Sequence, residues 1–318
     1  MSPLSSNPSE AIVICTRNRP EDLNETLRSI SAHASSDDLL LSVVDASDET
    51  ERAHTRKTVR DFGALPSMYR PHTDVPSLAQ QRNVALDHLP PSVEIAHFID
   101  DDVTIHPGYF EALSEVLRTH SEVGGVGGVI VEPAAKGASR RAEALKEPFF
   151  LSHAEAGRVL PSGCTTSAQP PSPAAPTGLR DTEWLSGCSS SYRRSLLKRH
   201  RFDETLTGYS MLEDLDLSYR VYQETRLVVQ PEARLTHRRS TRNRFDAGRY
   251  NRALTVHRRW FVEKHFDNLE SRLAYWWSLV GRFFAITVSS ISHRSAALWG
   301  LLRGVRTVLT RDHSLLSS

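Results

Sequence analysis

Ile95-Ala96-His97-Phe98-Ile99-Asp100-Asp101-Asp102-Val103 is the stretch around which the chain is organised. A short apolar run leads directly into three carboxylates. Adjacent like charges repel by about 1 kcal/mol per pair at 4 Å even in water, and by more when partly buried. A buried strand that delivers acids to its tip is explained if a cation sits there. If the extended backbone persists through the triplet, Asp100 and Asp102 share one face, because side chains alternate along a strand. A hard divalent ion such as Mg²⁺ or Mn²⁺ prefers such an oxygen site. The plain alternative is a solvated acidic turn after a strand.

Working outward, Ala11-Ile12-Val13-Ile14-Cys15-Thr16 is a β-branched apolar run and predicts a buried strand. Arg17-Asn18-Arg19-Pro20-Glu21-Asp22 follows as a turn and a helix start, with Pro20 suited to the first helical turn and the acids to its positive end. Leu39 to Val44 predicts a second strand ending at Asp45-Ala46-Ser47, and 49–61 a polar helix. Gln80 to Asp87 and Tyr109 to Leu117 predict helices on either side of the acidic strand. The glycines of Val123 to Val131 lie inside an apolar run with no helix signal after them. They point to close backbone packing rather than a dinucleotide fingerprint.

Alternating strands and helices predict an α/β/α sandwich around a mainly parallel sheet, in which ligands bind beyond the C-terminal strand ends. Three such ends carry polar clusters, at 16–19, 45–47 and 100–102, and are expected to converge on one crevice. The organisation read from the sequence is a flexible N-terminus (1–10), a catalytic domain (11–240) containing a long flexible loop (132–180), and a basic, amphipathic helical region (241–318). Order resumes at Trp184-Leu185-Ser186-Gly187-Cys188, and Glu213-Asp214-Leu215-Asp216 opens a helix, with Asp216 and Arg220 spaced for an i,i+4 pair.

These motifs, in this order, resemble the family-2 glycosyltransferases with the nucleotide-binding GT-A fold. The matching pieces are 12–19, 43–45, 81–83, 98–102, 184–188 and 213–220, within about residues 10–240. The resemblance implies a sugar-nucleotide donor (UDP-, GDP- or dTDP-linked), a divalent metal (Mn²⁺ or Mg²⁺), and inversion in one displacement onto a carbohydrate or lipid-linked acceptor. It places Thr16, Arg17 and Asp45 on the nucleoside and Arg82 on the nucleotide, with Asn18, Arg19 and Gly187 completing the donor site. It makes Asp102 the metal ligand, puts Asp100 at the ribose or metal shell, and makes Asp214 of the Glu213-Asp214 pair the catalytic base. Asp101 is expected to face away. Some relatives use a histidine near position 237 as a further ligand; the alternative for His237 is an exposed residue or a phosphate contact. Arg238, Arg239, Arg242 and Arg244 are candidates to close over the diphosphate.

The chemistry agrees with the residue types. A carboxylate within reach removes the proton of a sugar hydroxyl, and a divalent ion stabilises the diphosphate leaving group, so one acid set holds metal and another stays free as base. A nucleotidyltransferase of the same fold is the enzymatic alternative, but Thr16-Arg17-Asn18-Arg19 lacks the glycine-rich basic signature expected after the first strand.

Charge divides the chain. Residues 1–233 carry 23 Lys+Arg against 33 Asp+Glu, and residues 234–318 carry 16 against 5. The basic part suggests an anionic partner. Leu273, Trp276, Trp277, Val280, Phe284, Val288 and Ile291 fall near one helical face, with arginines at 272, 282, 294, 303 and 306. Peripheral membrane contact through 273–306 is expected, and packing on the catalytic body or a second subunit is the alternative. A non-enzymatic membrane- or nucleic-acid-binding protein would leave the acidic triplet unexplained, so no nucleic-acid partner is expected. Three widely spaced cysteines without a Cys-x-x-Cys predict a reducing, cytoplasmic setting, at the inner face of the cell membrane where the basic tail makes contact.

Overall fold

The structure, a computed structural model, describes residues 7–34, 38–131, 144–168, 178–208, 210–240, 242, 245–288 and 293–316. The chain forms two compact units. One comprises residues 1–135 and 169–242; the other comprises 136–168 and 243–318.

The first unit is built on β1 (Glu10–Thr16), α1 (Pro20–His33), β2 (Leu39–Asp45), α2 (Glu49–Asp61), β3 (Ser67–Pro71), α3 (Leu78–His88), β4 (Ile95–Asp100), β5 (Val103–Ile105), α4 (Tyr109–Thr119), β6 (Val123–Val131), β7 (Arg180–Thr182), β8 (Ser189–Arg193), α5 (Arg194–Arg199), α6 (Glu213–Tyr222) and β9 (Arg226–His237). The sheet order is β3-β2-β1-β4-β8-β6-β9-β5, with β7 against β9. β1 to β4 run parallel, as do β6 and β9, while β8 lies antiparallel between β4 and β6. The sheet is mainly parallel, as the alternation of strands and helices predicts.

Period-2 alternation sorts the strand residues into two cores. Ile12, Ile14, Leu41, Val43, Ile95 and Ile99 face one layer with α1 and α4 residues, whereas Ala11, Val13, Leu40, Val44, Ala96 and Phe98 face the other. α1 starts at Pro20 as expected, with Leu23, Leu27 and Ile30 buried. The Asp48 and Ser77 side chains cap α2 and α3 by accepting from the Glu51 and Gln80 N–H groups. The glycines of β6 are there for close approach: a Cβ at Gly125 would lie 2.7 Å from the Tyr192 ring, and one at Gly128 2.7 Å from the Ala233 carbonyl oxygen.

The acidic strand differs from the sequence reading in one respect. β4 stops at Asp100 and the chain turns at Asp101-Asp102 before β5, so extended backbone does not carry through the triplet.

In the second unit, α7 (Ala247–His265), α8 (Leu269–Val288) and α9 (Arg294–Thr310) pack with residues 144–168. Residues 144–168 of the stretch read as a long flexible loop of the catalytic domain therefore belong with the C-terminal helices. Phe149 stacks on Trp277 at 5.3 Å between ring centroids, and its Cβ lies against the bare Cα of Gly281. Arg258 is buried and donates to the Ser162 carbonyl and to Ser278 Oγ.

A polar network crosses the middle of the sheet in the first unit. His97 contacts Ser191 Oγ at 2.7 Å and Glu10 Oε2 at 3.1 Å; Ser114 donates to Glu10, and Arg118 pairs with it at 2.7 Å. Burial pushes the Glu10 carboxyl up, but the His97 hydrogen bond and charge, with Ser114 and Arg118, outweigh it and hold it below the ordinary value. A group with a lowered folded-state pKa stabilises the fold above its unfolded value, about 4.3 for glutamate, and loses that contribution as pH falls through its folded value. Glu10→Gln is therefore expected to cost about 1.5–3 kcal/mol at pH 7. The deficit should shrink below about pH 4, as read by denaturant unfolding at both pH values.

Candidate active site

The strand register assembles the site. Thr16 pairs with Asp45, and Cys15 lies between Val44 and Asp100, so the C-terminal ends of β1, β2 and β4 lie side by side. β5 pairs antiparallel with β9, setting Val103 opposite His237. That pairing puts His237 beside Asp102 across 135 residues of sequence. His237 Nε2 is 3.0 Å from Asp102 Oδ1 and 3.9 Å from Asp100 Oδ2. One ligand atom from each of Asp100, Asp102 and His237 lies within 4.8 Å of the others. Two carboxylates and an imidazole suit a divalent ion of the Mn²⁺ or Mg²⁺ kind, with imidazole tilting the set toward a transition metal. The residues present fit such an ion.

The three acids of the triplet have different partners. Asp102 Oδ2 accepts the Ser240 N–H at 2.8 Å and lies 3.9 Å from Arg19. Burial works to raise its pKa, but the His237 hydrogen bond and charge, the Ser240 N–H and Arg19 outweigh burial and hold it low. Asp101 is buried, accepting from Thr16 Oγ1 at 2.6 Å and from Arg19 at 3.1 Å. It turns away from the metal-type cluster as expected, but onto two residues assigned to the donor. Burial, against the pull of Arg19 and Thr16, pushes its carboxyl up to about 7. Asp100 is raised by burial and by Asp102, with Arg82 and His237 opposing.

A second acidic pair lies at the start of α6. Arg82, on α3, is buried with its guanidinium over the Phe98 and Phe202 rings. It donates to Glu213 Oε1 at 2.9 Å and to the Gly187 carbonyl at 3.1 Å, and lies 3.8 Å from Asp100. Arg82 thus joins the triplet to the Glu213-Asp214 pair. Burial and the neighbouring Asp214 push Glu213 up, with Arg82 opposing. Asp214 is half-buried; its oxygens accept the N–H groups of Gly187 and Leu215, each at 2.8 Å. Asp216 forms the i,i+4 pair with Arg220 at 2.8 Å.

Other residues named from the sequence lie around this cluster, several of them bonded within the protein. Asp45 is fully buried, accepting from the Ser47 N–H and the Tyr69 hydroxyl at 2.8 Å each. Asn18, with φ of 53°, ties two strand-end loops together: its N–H donates to Ser47 Oγ and its Oδ1 accepts from the Asp48 N–H. Arg17 is exposed. Arg238 turns onto the chain itself. Its guanidinium donates to the carbonyls of Val103 and Asp22 and to Thr104 Oγ1, fastening the end of β9. Arg242 pairs with Glu21 at 2.7 Å, and Arg244 lies outside the described residues. The sequence reading missed Ser240, whose contribution is a backbone N–H with no side-chain signal, and Tyr69, which sits on the half-exposed edge strand β3.

A family model described as glycosyltransferase like family 2 matches residues 8–261. The chain belongs to this family. It is a glycosyltransferase enzyme. Similar solved structures include GalNAc-T7 with UDP, GalNAc and Mn²⁺ (12% identity, TM-score 0.57, covering 79% of this chain and 48% of that one). They also include S. aureus TarS 1–349 (15%, 0.52, 96% and 73%) and the mannosyltransferase PcManGT from Pyrobaculum calidifontis with GDP-Man and Mn²⁺ (15%, 0.58, 98% and 89%). The chain thus spans about half the length of GalNAc-T7, and these likenesses show the GT-A fold. A comparison with curated proteins gives no significant match.

Gly187 is the tightest joint of this glycosyltransferase site. A Cβ there would lie 2.6 Å from an Arg82 guanidinium nitrogen, and its own N–H holds Asp214. Gly187→Ala is expected to displace Arg82 from Glu213 and to tilt Asp214. Turnover should fall by roughly tenfold or more, with a stability loss of about 1–3 kcal/mol. Steady-state kinetics and thermal melts check both, and unchanged turnover would remove the Gly187–Arg82 contact from the catalytic argument.

Proposed function

We propose that the enzyme transfers a sugar, with inversion, from a UDP-, GDP- or dTDP-linked donor to an acceptor hydroxyl in the making of a polysaccharide or glycoconjugate. The observation that carries this reading is the division of the acids. Asp100, Asp102 and His237 form one cluster, and Asp214 stands apart from it on α6, joined through Arg82 and Gly187. Two of the similar structures hold Mn²⁺, one with UDP and the other with GDP-Man, which supports a divalent ion and a nucleotide-sugar donor.

Asp102, Asp100 and His237 would hold the cation, which when bound supplies Lewis-acid stabilisation of the diphosphate leaving group. Asp214 acts as base. Its carboxylate is oriented by two backbone N–H groups and stays half-buried at the site, whereas Glu213 is committed to Arg82. In the single displacement, the acceptor oxygen forms a bond to the anomeric carbon as the bond to the diphosphate oxygen breaks. The hydroxyl proton passes to Asp214. Glu213 and Arg82 position rather than transfer. The free thiols of Cys15, Cys164 and Cys188 are in keeping with work on the cytoplasmic side.

The test is transfer and donor hydrolysis over a panel of UDP-, GDP- and dTDP-sugars with Mn²⁺ or Mg²⁺. Asp214→Asn should lower turnover by about 100-fold or more while the donor still raises the melting temperature. Asp102→Asn should abolish the metal dependence of that shift. Full turnover in Asp214→Asn would overturn the base assignment, and an unchanged metal response in Asp102→Asn would overturn the metal site.

A further inference from the structure

The surface of α8 is apolar where a surface helix is normally polar. Its inward face is set by buried Ala274, Tyr275, Ser278, Leu279 and Ile286. The opposite arc, spanning roughly 80° of the helix, carries Leu273, Trp277, Val280, Phe284 and Val288, all exposed, with Phe284 at 54% and Val288 at 82%. A helix apolar all round is ordinarily buried or membrane-spanning. Yet no helix among the described residues is long and apolar enough to cross a membrane. α9 repeats the pattern with cations added: Trp299 is 65% exposed, and Leu302 and Leu309 are exposed with Arg303 and Arg306 between them. The Trp277 ring is held ready, its indole N–H on the Pro148 carbonyl at 2.9 Å and its face on Phe149.

We propose that the outward faces of α8 and α9 seat the protein on the surface of an anionic lipid bilayer, lying in the interface rather than spanning it. Charge decides between lipid and a second copy of the chain. α8 has one acid, Glu270, and α9 has none, against Arg272 on the first helix, paired with Asp267 just before it, and Arg294, Arg303 and Arg306 on the second. A symmetric pairing of these faces would bring arginine against arginine. Anionic headgroups complement them instead, while Trp and Phe suit the headgroup boundary. This surface stands independently of the sugar-transfer chemistry.

The experiment is co-sedimentation of the full chain with phosphatidylcholine vesicles, with and without phosphatidylglycerol, at low and high salt. It is paired with tryptophan quenching by brominated lipid. Binding should require phosphatidylglycerol and weaken with salt. Phe284→Ser with Val288→Ser should weaken it by roughly tenfold or more. So should Arg303→Glu with Arg306→Glu, a surface-charge change that leaves the apolar packing alone. Circular dichroism confirms that each variant is folded. Absence of binding, equal binding to neutral vesicles, or a dimer in size-exclusion that Phe284→Ser with Val288→Ser dissociates would each overturn the proposal.

Discussion

Five carboxylates, Asp100, Asp101, Asp102, Glu213 and Asp214, share one polar site at the end of an apolar sheet, and the rest of the site answers their mutual repulsion. At an effective dielectric of 20, two unit charges 4 Å apart interact by about 4 kcal/mol. Most of the acids have an assigned counterpart: Arg19 and Thr16 for Asp101, His237 and Ser240 for Asp102, Arg82 for Glu213, backbone N–H groups for Asp214. Asp100 has its cations at longer range, 3.8 Å to Arg82 and 3.9 Å to His237, and burial raises its pKa. The least compensated charge thus faces the position where the donor set would receive a cation.

Topology supplies those counterparts from far away in sequence. β8 enters antiparallel beside β4, bringing the Gly187 loop to Arg82, and the β5–β9 pairing delivers His237 and Ser240 to Asp102. The pairing is pinned by Arg238, whose N–H donates to the Asp102 carbonyl at 2.9 Å. An arginine that looks from the sequence like a phosphate ligand is thus the fastener of the metal-type cluster.

The legible parts were those with strong local signals. β1, β2 and β4 are apolar runs ending in polar residues, and their in-register pairing brings those ends together as expected. The glycines of β6 read correctly as a packing device. The missed parts lack local signal. β8 is Ser-Ser-Ser-Tyr-Arg, a strand in which buried Ser191 and Ser189 bond to His97 and Tyr109, so no hydrophobic period marks it. β3 is a half-exposed edge strand. Nor does the sequence show that the Arg82 guanidinium lies buried over the Phe98 and Phe202 rings: it is a single basic residue on a helix, and only tertiary packing places it.

The same distinction refines the charge asymmetry between the acidic body and the basic C-terminal part. Arg258 and Arg282 are interior, bonded to Ser162 and Ser278 and to Asn251, and they hold the second unit together rather than reaching outward. Burial pushes Arg282 below its ordinary value, with Arg258 adding repulsion. Net charge therefore overstates the cationic surface. Along or just beyond the two helices whose exposed faces are apolar, Arg272, Arg294, Arg303, Arg306 and Arg311 remain outside. A basic surface made only for long-range attraction would have no use for exposed tryptophan and phenylalanine, and a symmetric pairing of two such faces would set arginine against arginine with no acid on the exposed arc to offset it. Cation and aromatic together on one helix face match a partner that is anionic outside and apolar beneath.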